Sequence, residues 1–341
     1  MKNLSRRSFM GNMLATGAVA AGTVLTAGAL TGCNNSQQQQ TTPEVKTKEA
    51  PKGGPVLFKN AVIVTGTADV NKNKLDVLVS DGVIKKIGTN LSDANAEIYD
   101  CNGALLLPSF MDPHMHLDKT RIGAPRLHHP EVYSVPEWAA NERKWRKELN
   151  HDPVVFGSNL VRQLALMGTT HIRSHIDVDD DIGLSYVEKI LQVRDKYKDY
   201  MDIQLVAFPQ SGIIKAKPGM EQMMLEAINM GVDMVGGLDP QSFDEDLDGH
   251  LDAIFRIAEK TGCGIDIHIH EPDQMGLKTF KGIVERARAL DMKDKINISH
   301  AYALGMIPES DLNPILEDFV ELGISVASST SGDGGYPPVL A

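Results

Sequence analysis

Two rhythms of hydrophobic and polar residues divide the chain. From about residue 55 to 104, short runs alternate with a period of two, as in "VLFKNAVIVTG", "KLDVLVSDGVIKKIG" and "AEIYDCNGALLLP". That spacing sends successive side chains to opposite faces of a strand. Asp81-Gly82, between two such runs, is a hairpin turn signal. The pattern predicts a small antiparallel β unit of the β-sandwich type over residues 55–104. Beyond it, strand-length apolar runs alternate with helix-length segments. The strands are "ALLLPSFMDP", "TTHIRSHIDV", "DIQLVAFPQ", "MVGGLDP", "CGIDIHIHE", "INISHAY" and "GISVASST". Between them lie segments such as "PVVFGSNLVRQLALMG", "GLSYVEKILQVRDKYKDY", "LDGHLDAIFRIAEKTG" and "SDLNPILEDFVELG", several of which end in Gly, a helix stop.

Strand and helix in alternation predict an α/β fold of the TIM-type (β/α)8 class over residues 105–341. A doubly wound open sheet is the alternative, and no Gly-x-Gly-x-x-Gly follows the first strand to support it. Only seven strands can be counted, because "GISVASST" runs into "SGDGGYPPVLA" and Ala341 stands where an eighth strand would begin. The expectation is a barrel truncated before its eighth strand.

The strands carry polar faces that a strand buried on both sides should lack. In "GIDIHIHE" the residues Ile265, Ile267 and Ile269 share one face and Asp266, His268 and His270 the other; in "HIRSHIDV" the residues His171, Arg173, His175 and Asp177 share a face. Such faces point to a site at the barrel mouth. In "MDPHMHLDKT", His114 and His116 stand two residues apart on a strand, their Cα atoms about 6.6 Å apart, and can aim both imidazoles at one metal ion. Glu271 follows His270 and Pro272 then stops the strand, so the carboxylate belongs at a bend beside the site, where a proton shuttle is useful. His300 ends "INISHA"; taken alone it is read equally well as a structural histidine.

The first residues change the picture of where the protein works. "SRRSFMGNMLATGAVAAGTVLTAGALTGC" has the arginine pair Arg6 and Arg7, a mildly apolar Ala/Gly/Leu segment and then Cys33. It reads as a bacterial export signal over residues 1–32, resembling twin-arginine signals. "LTGC" resembles a lipobox at which Cys33 becomes the lipidated mature N-terminus. The expected location is the outer face of the cytoplasmic membrane, in the cell envelope, with the membrane reached only through the lipid. Residues 33–54, rich in Gln, Thr, Lys, Pro and Gly without apolar periodicity, form a tether. With Cys33 as anchor, Cys101 and Cys263 remain, too few for a disulfide framework.

Composition narrows the partners. The 341 residues are 42% hydrophobic, and 34 Lys+Arg against 45 Asp+Glu give a net charge of −11. With no basic cluster interleaved with aromatics, nucleic acid is not expected as a partner, and a small molecule is.

Taken together, "LPSFMDPHMHLDKT", "HIDVDD", "AFPQSGI", "IDIHIHEPDQ" and "ISHAYALG" resemble the amidohydrolase superfamily, most closely its cytosine deaminase-like branch. The resemblance covers residues 55–341 in order. It implies that His114, His116 and His268 bind one divalent metal ion, iron or zinc. It implies that His300 orients or polarises a metal-activated water, that Glu271 shuttles protons and that Gln210 hydrogen-bonds the polar edge of a heterocyclic substrate. Ammonia would leave and a ring carbonyl remain. The family draws a further metal-binding Asp from its eighth strand; Asp333 lies in a Gly-rich loop with no sheet to aim it, so this chain alone is expected to bind metal weakly and not to turn over. Position 270 is His where deaminases of this branch often have Asp, which leaves the substrate and a ligand role for His270 open. "MVGGLDP" offers no Lys or Glu to bridge two metals, against the dinuclear branches.

Three functions stay in play: a cytosine deaminase-like aminohydrolase; a hydrolase of cyclic amides or N-alkylaminotriazines; and, of another class, a lipid-anchored binding protein or inactive fragment. Homo-oligomers are compatible with each.

Overall fold

The computed structural model describes residues 54–64, 74–125 and 134–328. The export signal and Cys33, the tether up to residue 53, and Asp333 lie outside the described residues. Contacts divide the chain into two units that meet in sequence at Ser109 and Phe110.

The first unit is one mixed sheet of five strands: β1 (Val56–Ile63), β2 (Lys74–Ser80), β3 (Val83–Gly88), β4 (Glu97–Asp100) and β5 (Leu105–Leu106). The predicted hairpin is present: β2 and β3 pair antiparallel, and Asp81 and Gly82 at φ 55° and 70° give the turn both of its positive dihedrals. The expected all-antiparallel unit needs correction, because β4 and β5 both run parallel to β1. Alternation tells which face of a strand is buried and nothing about the direction of its partner. The di-leucine Leu105–Leu106, read from sequence as the start of the first barrel strand, belongs to this sheet. Among the described residues the unit forms a single sheet, and a sandwich is not seen.

The second unit is an α/β fold built on a nearly closed seven-stranded parallel barrel. Its strands, β6 (Phe110–Met115), β7 (Thr169–Val178), β8 (Asp202–Pro209), β9 (Met234–Leu238), β10 (Gly264–His268), β11 (Ile296–Ser299) and β12 (Ser325–Ala327), lie side by side in sequence order. Each next strand is parallel and reached through a helix, as the alternation predicts. The helices are α1 (Val135–Glu148), α2 (Pro153–Leu166), α3 (Ser185–Tyr197), α4 (Met220–Asn229), α5 (Leu247–Thr261), α6 (Asp273–Ala289) and α7 (Glu309–Leu322). Two of them stop as expected at a glycine in the left-handed conformation, Gly262 at φ 76° and Gly323 at φ 64°.

Helix α1 is absent from the sequence reading. Its sequence "VPEWAANERKWRKE" has no apolar stripe to reveal it, yet Ser134 caps it by accepting from the Glu137 amide and a proline opens its first turn. The two faces of β10 behave as their alternation requires: Ile265, Ile267 and Ile269 are fully buried, while Asp266 and His268 pair in register with Asn297 and Ser299 of β11 on the interior face. Among the described residues no helix is long and apolar enough to cross a membrane. Cys101 and Cys263 are free thiols.

Candidate metal centre and substrate rim

Histidines from four strand ends converge. His114 sits in β6 and His116 directly after it, His175 is in β7, His268 closes β10, and His300 follows β11 with φ 72°. Ring centroids of His114 lie 5.5 Å from His116, 4.5 Å from His175, 4.7 Å from His268 and 4.6 Å from His300. The ligand atoms of His114, His116, His175 and His268 all lie within 4.8 Å of one another. The three ligands inferred from sequence are thus brought together, and His175 joins them.

This donor set fits a divalent cation. His116 Nε2 and His268 Nε2 are 3.4 Å apart, close to the N–N edge of about 3.3 Å that follows from tetrahedral Zn–N bonds of about 2.05 Å. Burial lowers the proton affinity of His114, to a pKa of about 3, and takes His116 and His268 well below the ordinary histidine value; crowding by the other histidines, and for His116 the Lys119 ammonium, adds to the effect. All three imidazoles are therefore neutral at physiological pH, as ligands must be. His116 Nδ1, His268 Nδ1 and both nitrogens of His175 are buried without a hydrogen-bond partner. His175 Nε2 does lie 3.2 Å from Asp266 Oδ1, in electrostatic contact but off the line of a hydrogen bond.

Beside His116 is a buried charge cluster. Lys119 Nζ lies 2.7 Å from Asp177 Oδ1 and 3.4 Å from Glu142 Oε2, donates to Gln210 Oε1 at 3.3 Å, and stands 5.2 Å from the centroid of the Phe208 ring. Gln210 Nε2 donates to Glu142 Oε2 at 3.3 Å. Phe208 packs 4.4 Å from His268, so this charged rim adjoins the histidines. Burial and the neighbouring Asp177 push the Asp118 carboxyl up to about 7. Burial pushes Glu142 up to about 8 even though Lys119 opposes the shift. Lys119 keeps its proton, its carboxylate neighbours outweighing burial. His116, Asp118 and Asp177 form a second group with metal-ligand spacing, but the Lys119 ammonium already supplies its cation.

Glu271 is buried, and burial raises its carboxyl above the ordinary value. Its Oε1 accepts from the amides of Gln241 at 2.6 Å and Ser242 at 3.0 Å. Its Oε2 accepts from Thr279 Oγ1 and, at 3.4 Å, from Gln241 Nε2. Among the described residues none of these bonds reaches the histidine cluster. His270 is fixed by Asp239, whose Oδ2 accepts from its Nδ1 at 2.8 Å and whose Oδ1 accepts from its amide at 2.6 Å. Its ring stacks on His300 with centroids 4.4 Å apart.

Sequence reasoning left Lys119, Glu142 and Arg146 without a role. Lys119 had a signal, three residues beyond the His-x-His in "HMHLDK". Glu142, Arg143 and Arg146 had none, since their helix was not recognised. Arg146 donates to Asp177, Asp179 and Asp181, and Arg143 donates to Asp179 and to the Gln210 carbonyl. These bonds seat α1 against the ends of β7 and β8.

A model of the amidohydrolase family matches residues 97–339. The uncharacterized protein YahJ of Escherichia coli (strain K12) is 34% identical over 278 residues, which are 80% of this chain and 59% of that protein. The crystal structure of N-isopropylammelide isopropylaminohydrolase from Burkholderia multivorans ATCC 17616 superposes with a TM-score of 0.77 at 34% identity, over 84% of this chain and 70% of that one. That of 5-methylcytosine deaminase from Klebsiella pneumoniae, liganded with phosphonocytosine, gives a TM-score of 0.66 at 26% identity, over 80% of this chain and 65% of that one. The chain thus spans well under two thirds of the length of the E. coli protein.

Proposed function

The chain belongs to the amidohydrolase family, and from that premise we propose that it is a metal-dependent hydrolase of the bond between a ring carbon and an exocyclic amine on a pyrimidine- or triazine-type heterocycle. The observation that carries this reading is the neutral histidine cluster flanked by the Lys119–Gln210–Glu142 rim. The histidine set would hold an ion able to activate water, and the rim suits a flat ring with donors and acceptors along one edge. The 5-methylcytosine deaminase and the N-isopropylammelide isopropylaminohydrolase that the chain resembles bear names of the same substrate type.

In this proposal His114, His116 and His268, with His175 beside them, would hold one divalent ion, iron or zinc, which when bound would supply Lewis acidity and lower the pKa of water. His300 orients the attacking water. Lys119 and Gln210 bind the polar edge of the ring, and Phe208 covers a face of the pocket. Glu271 carries the proton from water to the departing amine. Of its four hydrogen bonds, the one from Gln241 Nε2 is the longest, at 3.4 Å, and is the one a substrate N–H displaces. Water adds its oxygen to the ring carbon, the C–N bond breaks, and the amine leaves with the proton while a ring carbonyl remains. We place the working enzyme outside the cytoplasmic membrane, exported by its arginine pair and held through lipid on Cys33.

The test uses the purified full chain loaded with Zn2+ or Fe2+ and offered N-isopropylammelide, cytosine and 5-methylcytosine. Free amine or ammonia released in equal amount with the oxo ring is expected, against the lack of turnover read from the sequence alone. Ring-opened product alone, or no turnover by a fully metallated protein, would overturn the reading.

A further inference from the structure

Deep in the barrel, below the histidine cluster, Asp266 of β10 gathers an unusual number of partners. Its Oδ2 accepts from Arg173 Nη1 at 2.8 Å and from Asn297 Nδ2 at 2.9 Å. Its Oδ1 accepts from Ser299 Oγ at 2.7 Å and stands 3.2 Å from His175 Nε2. Asp266, Ser299 and His175 are all fully buried.

Ser299 connects this carboxylate to the cluster, because its Oγ also lies 2.9 Å from His114 Nδ1. A serine hydroxyl has one proton to donate. Here Ser299 Oγ gives that proton to Asp266 Oδ1, so the contact with His114 runs the other way: His114 Nδ1 carries the hydrogen and Ser299 Oγ accepts it. A neutral imidazole protonated at Nδ1 has its lone pair at Nε2. The chain Asp266–Ser299–His114 therefore fixes one tautomer and one ring orientation, and it leaves Nε2 as the nitrogen with a lone pair to offer a metal ion. Arg173, whose Nε is in turn held by Gln204 Oε1 at 2.7 Å, holds the other oxygen of the same carboxyl group in place.

We infer that Asp266 is a positioning residue for the metal centre, setting the metal-facing nitrogen of His114 through the hydroxyl of Ser299 and restraining His175 directly. The inference rests on the proposed metal-dependent function. Its physical ground is that a histidine ligand whose other nitrogen is hydrogen-bonded is both oriented and made a better donor, and loss of such an outer partner lowers metal affinity by about 10- to 100-fold.

The experiment reads metal retention. The full-length wild type and Ser299→Ala, Ser299→Thr and Asp266→Asn variants are loaded with Zn2+ and challenged with a chelator, and their Co2+ forms are compared by visible absorption. Ser299→Ala removes only a hydroxyl and leaves the Arg173–Asp266 pair in place, so it keeps the question answerable should Asp266→Asn not fold. Ser299→Ala is expected to bind Zn2+ at least about tenfold more weakly and to show an altered Co2+ spectrum. Ser299→Thr, which keeps the hydroxyl, should restore both. A Ser299→Ala protein with wild-type affinity and an unchanged Co2+ spectrum would overturn the inference alone. A wild-type chain that takes up no Zn2+ would overturn the proposed metal-dependent function and this inference with it.

Discussion

Glu271 is at once a structural acceptor and the proposed proton carrier, and substitution separates the two. Glu271→Gln keeps the acceptor for the Gln241 and Ser242 amides but turns an N–H toward Gln241 Nε2, itself a donor. The expected cost is about 1 kcal/mol of stability, seen in a denaturant midpoint. Turnover should fall by about 100-fold or more while the Zn2+ content, read by elemental analysis, stays at the wild-type level. Near-normal turnover would remove Glu271 from the mechanism. Glu142 makes a second prediction, in pH. Its carboxyl is raised from 4.5 to about 8, so the folded protein holds a proton that the unfolded chain has released. The stability this contributes is present below 4.5 and is lost as pH rises toward about 8. Glu142→Gln, which mimics the protonated form, should therefore raise the melting temperature at pH 8 and have little effect at pH 4. Parallel melting curves for the two proteins across that range would contradict the shift.

At the scale of elements, the barrel mouth depends on a helix that its own sequence barely announces. Helix α1 buries little beyond Ala139 and Arg146, and its seat is ionic: Arg146 to Asp177, Asp179 and Asp181, and Arg143 to Asp179. A helix held this way opens locally at lower cost than one held by an apolar face. Asp179→Asn removes the carboxylate that both arginines share while leaving the strand in place. Backbone amides of 135–148 should then exchange hydrogen faster, with those of β8 to β11 unchanged. Uniform acceleration across the barrel would mean that Asp179 supports the fold as a whole and not α1. Because Glu142 rides on the same helix, the contact from Gln210 to Glu142 should weaken with it.

At the scale of the whole molecule, the barrel gives the site its walls and its polar centre, and the N-terminal segment outside the described residues would give it an address. Metal loading of a folded barrel before export is consistent with a signal of the twin-arginine type. Arg6→Lys with Arg7→Lys should leave unprocessed precursor in the cytoplasm, and Cys33→Ala should yield protein without lipid. Cell fractionation and lipid labelling check both. Processed protein in the envelope of the double variant would refute the assignment.

Local pattern alone determined a good deal of this. Strand-length apolar runs set between helix-length segments found the seven barrel strands, and period-two alternation separated the oily face of β10, with Ile265, Ile267 and Ile269, from the chemical face of Asp266 and His268, because side-chain direction in a strand depends only on position along it. The placing of His114, His116 and His268 as a group came from the same alternation together with the family resemblance. What the sequence could not decide is how strands pair where no helix-length crossover links them, and which side chains meet across the barrel. The parallel course of β4 and β5 beside β1 follows from pairing partners distant in sequence. Helix α1 escaped notice because charges, not an apolar stripe, hold it, and its partners lie more than 30 residues away. His175 joins the cluster, Glu271 ties itself to Gln241 and Thr279, and Asp266 reaches His114 through Ser299 only once the strands have curved toward one another. Face is a property of one strand, but a hydrogen-bond chain across a barrel exists only after closure has set the distances.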